Sequence, residues 1–531
     1  MYPDRLAQII TSLFPPRLKQ RRAARPSLAT ATLLAALALP AHAALAAHHE
    51  EPADHGSGEA GAVPELLNFE SSGSVRIDGK VVEYTATAGT LEMKNDGGEP
   101  IAHFGYTAYV RKGADKRTRP VLFAYNGGPG SASMWLHMGI LGPQRTVVDD
   151  TNFTSKGPFK RVNNEFSVLD KADIVMIDPV GTGLSRPVGD AEGEDFWGVD
   201  NDIESVSNFI ARYVTENGRW QSPKYLLGES YGGVRSGGVA YTLLSTHSIA
   251  LNGVILVSPY MDYIAGNAGS KNDLPYINYF STFAASAWYH DAIDDKPEDL
   301  RAFVDQADRF ARDEYASLLL KGHRATAEER AAVLAQMERF TGISQEYWDR
   351  ANLRINESRF AKELLRDRRE TVGRIDSRFV GDAIAYNAET FRYDPFFPAV
   401  GPAFMATFND YYRETLGVKT DRPYVGSAGL YSDWDQRHRV PGGGREPVPN
   451  TSVDLAYAMT QNPHMRVLVQ QGMFDLATPL GATQYFLDHI DLPPKLRENL
   501  TLELYEAGHM MYLHPESLAK YRRDLAAFIG D

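Results

Sequence analysis

Cysteine is absent from all 531 residues. That excludes disulfides, thiolate metal sites and a cysteine nucleophile, so a fold used outside the cell would have to be held by a large core. Basic charge is in deficit: 55 Lys and Arg stand against 68 Asp and Glu, a formal charge of -13. With no long basic stripe to offset it, this balance argues against a nucleic-acid partner. Long apolar runs are lacking too. The nearest, Leu28–Leu39, is too short and too rich in Ala to be a comfortable membrane span. No internal repeat is apparent. What remains, 43% hydrophobic, 11% aromatic and 23% charged, describes a soluble globular chain.

The N-terminus reads as an address. Arg17, Lys19, Arg21, Arg22 and Arg25 precede the apolar run, and Pro40 and Ala41-His42-Ala43 follow it. This is the order of a secretory signal, with cleavage expected near Ala43; an uncleaved signal anchor is the alternative. Residues 1–43 hold six Lys/Arg and one Asp, so their removal leaves a more acidic, secreted or periplasmic protein with no stable membrane span. Residues 44–64, polar and rich in Gly, Pro and His, read as a mobile linker. His48, His49 and His55 beside Glu50 and Glu51 fit a solvated tail better than a cation site, since nothing fixes ligand geometry.

Beyond the linker the pattern is wound α/β. Val81–Ala88 and Phe104–Val110 alternate and suggest an antiparallel start. Short apolar runs then look like buried parallel strands: Val121–Tyr125, Asp173–Ile177, Tyr225–Leu227, Val254–Val257, Val467–Val469 and Leu500–Leu504. A helical pattern, Ile203–Asn217, separates two of them. The rhythm stops for about 200 residues between Asp262 and Met465, where charged helical patterns dominate: Pro297–Leu320, Ala327–Phe340, Glu346–Leu353 and Ser358–Arg369. We therefore expect a core at 65–262 and 466–531 with a mostly helical cap inserted at 263–465. Gly442-Gly443-Gly444 reads as an ordinary turn, not a phosphate cradle.

Chemistry-bearing residues stand where these strands end, the place where open α/β sheets carry their sites. Gly228-Glu229-Ser230-Tyr231-Gly232 fits G-x-S-x-G directly after a strand, the strained turn that exposes a serine nucleophile. Asn126-Gly127-Gly128-Pro129-Gly130 follows another strand, as either a tight connection or a turn aiming amides at an oxyanion. Asp475 and His509 follow the last two strands. A serine hydroxyl needs an imidazole to take its proton, and the imidazole needs a carboxylate to fix its tautomer. The order Ser230, Asp475, His509 is that of an α/β-hydrolase triad.

The segments NGGPGSAS, DPVGTGLS, GESYGG, GMFDLATPL and EAGHMMY resemble, in order and spacing, the five blocks of the serine carboxypeptidase (S10) family across roughly residues 80–525. The resemblance implies an α/β-hydrolase fold with a large helical cap insertion. It also implies Ser230 as nucleophile, His509 as general base then acid, and Asp475 as its orienter. It gives the oxyanion hole to the amides of Gly128 and Tyr231, and the substrate's terminal carboxylate to Asn126 and Glu229. Glu229 could accept a carboxylate neighbour only if one of the two is protonated, which would favour acidic conditions. Peptide or protein C-termini would be the substrates, with no metal or organic cofactor.

Three departures qualify that expectation. Ile140 stands where many relatives carry a second acid, so carboxylate recognition is expected to weaken. Ser131 replaces the usual Cys after NGGPG, and the family's disulfides are missing, which points to a divergent bacterial branch. Pocket walls are not placed, although Tyr231 and Trp135 are candidates. An esterase or prolyl-aminopeptidase-like activity on the same triad remains the nearest rival; an acyltransferase or a silent binding module is further off.

Overall fold

Strands buried on both faces must alternate their side chains between two apolar layers, and this computed structural model shows how that is done. It describes residues 63–153, 156–268 and 271–530; the expected signal sequence and nearly all of the expected linker lie outside them. The strands are β1 (Asn68–Ile77), β2 (Lys80–Lys94), β3 (Pro100–Arg111), β4 (Val121–Tyr125), β5 (Asp173–Ile177), β6 (Lys224–Glu229), β7 (Gly253–Val257), β8 (Arg466–Gly472) and β9 (Leu500–Tyr505). They form one sheet in the order β1-β2-β3-β5-β4-β6-β7-β8-β9, with the short strand Arg186–Pro187 also pairing with β3. Strands β4 to β9 are mutually parallel, whereas β1 to β3 are antiparallel and join the rest through an antiparallel β3–β5 pair.

Phe123, Val175, Leu226, Val254 and Val467 face one layer. It is built from α1 (Val199–Glu216), α2 (Gly232–Ser245) and their neighbours. The intervening Leu122, Ile174, Leu227, Ile255 and Leu468 face the other layer. Both layers are closed, which is why these strands read as continuous apolar runs.

Between β7 and β8 come α3 (Leu274–Tyr289), α4 (Leu300–Phe310), α5 (Ala327–Thr341) and α6 (Phe396–Asp410), with shorter helices among them. The α5 boundaries are written locally: Thr326 and Glu329 form a reciprocal capping box, and Gly342 ends the helix at φ +65°. α3 to α5 share a separate core of Phe280, Phe283, Phe340, Trp348 and Phe360, in which Phe283 and Phe360 stack at 4.0 Å. That core reaches Leu476, beside the expected catalytic acid. Before β8, α7 (Ser452–Gln461) packs on α2. After β8 come α8 (Leu480–His489) and, past β9, α9 (Pro515–Gly530). The three-glycine stretch turns the hairpin between His438–Arg439 and Arg445–Glu446.

A buried ionic clasp fastens that hairpin. His438 Nδ1 bonds Asp200 of α1 at 2.7 Å, and its Nε2 bonds Asp454 of α7 at 2.9 Å. Burial alone would depress this imidazole, but the two carboxylates overcome it and raise the pKa to about 9. A raised folded-state pKa contributes stability that is full below about 6.5 and fades as the pH climbs through about 9. Thermal unfolding of the wild type should therefore drop by a few degrees between pH 7 and 9.5. His438→Ala should cost about 3 kcal/mol at pH 7, because it strands the buried Asp454 and takes a partner from the half-buried Asp200, and should flatten that pH slope. An unchanged wild-type slope would remove the clasp from the account.

Candidate active site

Register brings the carboxyl ends of the parallel strands level. Tyr125 pairs with Gly228, Val257 with both Glu229 and Gln470, and Gly472 with Tyr505. The loops that follow are the ones the motifs singled out.

Ser230 links β6 to α2 with φ +62°, a left-handed conformation that costs a non-glycine residue about 1 kcal/mol. The surroundings hold it there. Its amide donates to Val257 at 2.9 Å, and its carbonyl accepts from Gly233 at 2.8 Å and Tyr260 at 3.0 Å. The turn is tight enough to require small neighbours: a Cβ on Gly228 would lie 2.2 Å from the Gly232 carbonyl. Ser230 is partly exposed although Glu229 and Tyr231 are buried. The elbow thus presents the serine while hiding its neighbours.

The Asn126–Gly130 turn presses against this elbow. A Cβ on Gly127 would lie 2.4 Å from the Tyr231 amide and 2.7 Å from the Glu229 carbonyl. Among the described residues, neither the Gly128 nor the Tyr231 amide donates to a protein acceptor, so both can serve a bound oxyanion. Asp178, at the end of β5, holds the far side of the turn by accepting from the Ser133 amide (2.9 Å) and hydroxyl (2.8 Å). Burial lifts this carboxyl to about 6, against those hydrogen bonds.

His509 Nδ1 donates to Asp475 Oδ2 at 2.7 Å, with both residues buried. Asp475 Oδ1 accepts from the amides of Ala477 (2.8 Å) and Thr478 (2.9 Å), and Oδ2 also accepts from the Thr478 hydroxyl (2.6 Å). Burial would lower the His509 imidazole, but Asp475, helped by Glu229, more than offsets this and raises its pKa. Because Nδ1 is engaged, Nε2 is the nitrogen left for chemistry. The Ser258 hydroxyl donates to the His509 carbonyl at 2.8 Å, and Ser258 directly follows Val257, the acceptor of the Ser230 amide. Serine and histidine loops therefore meet around the end of β7.

Asn126 and Glu229 also come together. Asn126 Nδ2 donates to Glu229 Oε1 at 2.7 Å, and Tyr512 donates to Oε2 at 2.8 Å. Burial pushes the Glu229 carboxyl up to about 7, although His509, Tyr512 and Asn126 pull it down. Ile140 is wholly buried in one of the two sheet layers. The Tyr231 ring is buried against Trp434 at 5.4 Å and under Arg235, so it packs instead of lining a pocket. Trp135 is partly exposed and meets Phe404 and the exposed Phe397.

Three participants escaped sequence reasoning. Thr478 and Tyr512 lie inside recognised segments, but nothing local shows what they touch. The third is a segment of the insertion. The Ile375 carbonyl accepts from the His509 amide (2.8 Å), Asp376 Oδ2 from the Gly508 amide (3.2 Å), and Ser377 donates to the Phe474 carbonyl (3.0 Å). Arg378 grips both oxygens of Asp376 at 2.6–3.2 Å, out of solvent. Among the described residues no cluster of His, Asp and Glu is arranged to hold a metal ion.

A family model described as serine carboxypeptidase matches residues 81–393. Serine carboxypeptidase-like 36 of Arabidopsis thaliana is 29% identical over 189 residues. That match takes in 34% of this chain and 36% of the plant protein, so the chain spans about a third of the length of this curated relative. Among solved structures, a prohormone-processing carboxypeptidase from Saccharomyces cerevisiae superposes with a TM-score of 0.53 at 14% identity, over 84% of this chain and 91% of that one. A proline iminopeptidase from Mycobacterium smegmatis aligns over 87% of this chain and 98% of its own, at 16% identity and a TM-score of 0.33. The architecture is the α/β-hydrolase fold, with a mixed central sheet and many helices.

Proposed function

Since the chain belongs to the serine carboxypeptidase family, we propose that it removes C-terminal residues from peptides through an acyl-enzyme formed on Ser230. His509 Nε2 takes the serine proton as Oγ attacks the scissile carbonyl, and Asp475 holds the tautomer that makes Nε2 basic. The Gly128 and Tyr231 amides receive the oxyanion, with the N-terminus of α2 behind them. The imidazolium then protonates the leaving amine, and water, activated by the same histidine, releases the acyl group.

The observation that carries the exopeptidase reading is the carboxyl of Glu229, buried one residue before the nucleophile and tied to Asn126 and Tyr512. A protonated Glu229 can donate to a substrate carboxylate, whereas an ionised one repels it. Its pKa of about 7 sets the expected dependence. An N-blocked dipeptide and its C-terminal amide share the histidine ionisation, so the ratio of their kcat/KM values isolates Glu229. That ratio should favour the free acid at low pH and fall as the pH rises through about 7. Glu229→Gln, which keeps a donor without the charge, should make the ratio flat. An amide cleaved as well as the acid at every pH would overturn the exopeptidase reading.

One feature favours an esterase or amide hydrolase instead: Ile140 offers no second acid to the terminal carboxylate. The same ratio decides between them. We also infer export, from the basic segment, apolar run and Ala-x-Ala at residues 17–43. Placement in a divergent bacterial branch rests on the chain having no cysteine. Among the described residues no helix is long and apolar enough to cross a membrane.

A further inference from the structure

The insertion reaches the catalytic loops through the segment 373–379, and Arg374 stands in it next to the residue that holds the His509 amide. The backbone there is pinned from both sides. Ile375 accepts from His509 in front, and Asp394 takes the Ile375 amide at 3.1 Å behind. Asp376 and Ser377 bind the two triad loops, so position 374 cannot drift relative to the acid–base pair.

The Arg374 side chain is partly exposed, and among the described residues its guanidinium has no hydrogen-bond acceptor and no carboxylate within ion-pair distance. Its charge acts on Tyr279 of α3, on Glu357 at the start of the helix Glu357–Glu363, and on Asp394 and Asp475. It also acts on Tyr260 and His509. Tyr260 is the residue whose amide donates to the Ser230 carbonyl, and its ring lies 4.4 Å from that of Tyr263. Asp394 is occupied by the amides of Ile375 and Phe396. Glu357 remains as the competing anion; burial raises its pKa and Arg374 opposes that rise.

The groups around Glu229 are Tyr512, Asn126 and the pair His509 and Asp475. Those around Arg374 share with them that pair and nothing else so far described. Two recognition groups thus share the acid–base pair as a neighbour: one offers a neutral acid to a terminal carboxylate, and the other offers an unpaired guanidinium. A guanidinium fork matches a carboxylate in two parallel hydrogen bonds.

We propose that Arg374, unpaired and fixed beside the catalytic histidine loop, is a specificity-determining residue that receives an acidic side chain on the acyl side of the scissile bond. The substrates it selects carry Glu or Asp as the penultimate residue. The assignment of sides rests on the carboxypeptidase reading above. The preference itself does not, because acyl-side recognition can be read on esters that lack a terminal carboxylate.

The test therefore uses N-blocked p-nitrophenyl esters of Glu, Gln, Ala and Lys alongside the matching N-blocked dipeptides. On both series the wild type should hydrolyse the Glu substrate about tenfold or more faster in kcat/KM than its Gln isostere. Arg374→Gln should bring the Glu/Gln ratio to one or below even where the loss of a charge that acts on His509 changes the rate on every substrate. Arg374→Lys should fall between, and Glu357→Gln should raise the ratio by removing the competing charge. A wild-type ratio of one or less would overturn the proposal whatever the variants do, as would an Arg374→Gln enzyme that keeps the preference. Turnover of the esters with no turnover of the dipeptides would sink the carboxypeptidase reading and leave this one standing.

Discussion

Asp475→Asn should lower kcat by about four orders of magnitude on any ester substrate, with KM and the unfolding temperature nearly unchanged. The expectation follows from counting hydrogens around one buried group. Oδ1 accepts from the Ala477 and Thr478 amides, and Oδ2 from the Thr478 hydroxyl, from His509 Nδ1 and, at 3.4 Å, from Gln471 Nε2. An asparagine can keep its oxygen on the two amides, which leaves its NH2 facing the imidazole. Two donors cannot share that contact, so the ring must carry its proton on Nε2 instead. An Nε2–H points its hydrogen toward the serine and cannot accept one. The loss is therefore one of tautomer and not of folding, and it should appear in the acylation rate of a single-turnover experiment. A drop smaller than about a hundredfold would mean that His509 finds its orientation elsewhere, with Thr478, 3.2 Å from Nδ1, as the next group to test.

Ser230→Ala should be more damaging still, about 10⁵-fold or more in kcat, since it removes the hydroxyl that the elbow presents, whereas those of Ser258 and Thr478 are buried and engaged. Its effect on stability has a separate physical origin. Alanine inherits the left-handed backbone of the elbow, so the strain is unchanged and the unfolding temperature should stay within a degree or two of wild type. Ser230→Gly should be equally inactive but more stable than Ser230→Ala by about 1 kcal/mol, because glycine adopts φ +62° without steric penalty. The two dead variants separate strain from chemistry. If the glycine variant were less stable, the elbow would be unstrained and the positive φ incidental. Retained activity in either would mean that the nucleophile lies elsewhere.

Much of this was legible because burial imposes its own pattern. Val121–Tyr125 and Asp173–Ile177 appear in the structure with the bounds expected from their apolar runs, and the other parallel strands differ at their ends. The helices of the insertion divide by polarity. α4 and α5 carry a charged face and were visible, whereas α3 (LPYINYFSTFAASAWY) and α6 (FFPAVGPAFMATFND) are too apolar for a 3.6-residue period to stand out. β1, with its NFESSGSVRI sequence and alternate partly exposed residues, escaped for the opposite reason. At the site, Ser230, Asp475 and His509 follow strands and stand in a recognisable order. Asp376 and Arg378 lie roughly 100 to 150 residues from the members of that set, and no spacing could connect them to it. Glu229 and Asn126 could be named in advance, but the tyrosine that completes their triangle, Tyr512, is identified by its contact alone.

The segment 375–377 also determines how the catalytic set would fail. It holds the Asp475 loop through the Phe474 carbonyl and the His509 loop through two further bonds, while Ser230 rides on β6 and hangs from Val257. Leverage applied to the insertion, by a crowded substrate or a misfitting side chain, would move acid and base as one piece. The joint under strain would be the one between histidine and serine, spanned by the Ser258 hydroxyl on the His509 carbonyl. A damaged enzyme of this build would keep an intact His–Asp couple, with its proton in the right place, and lose its reach.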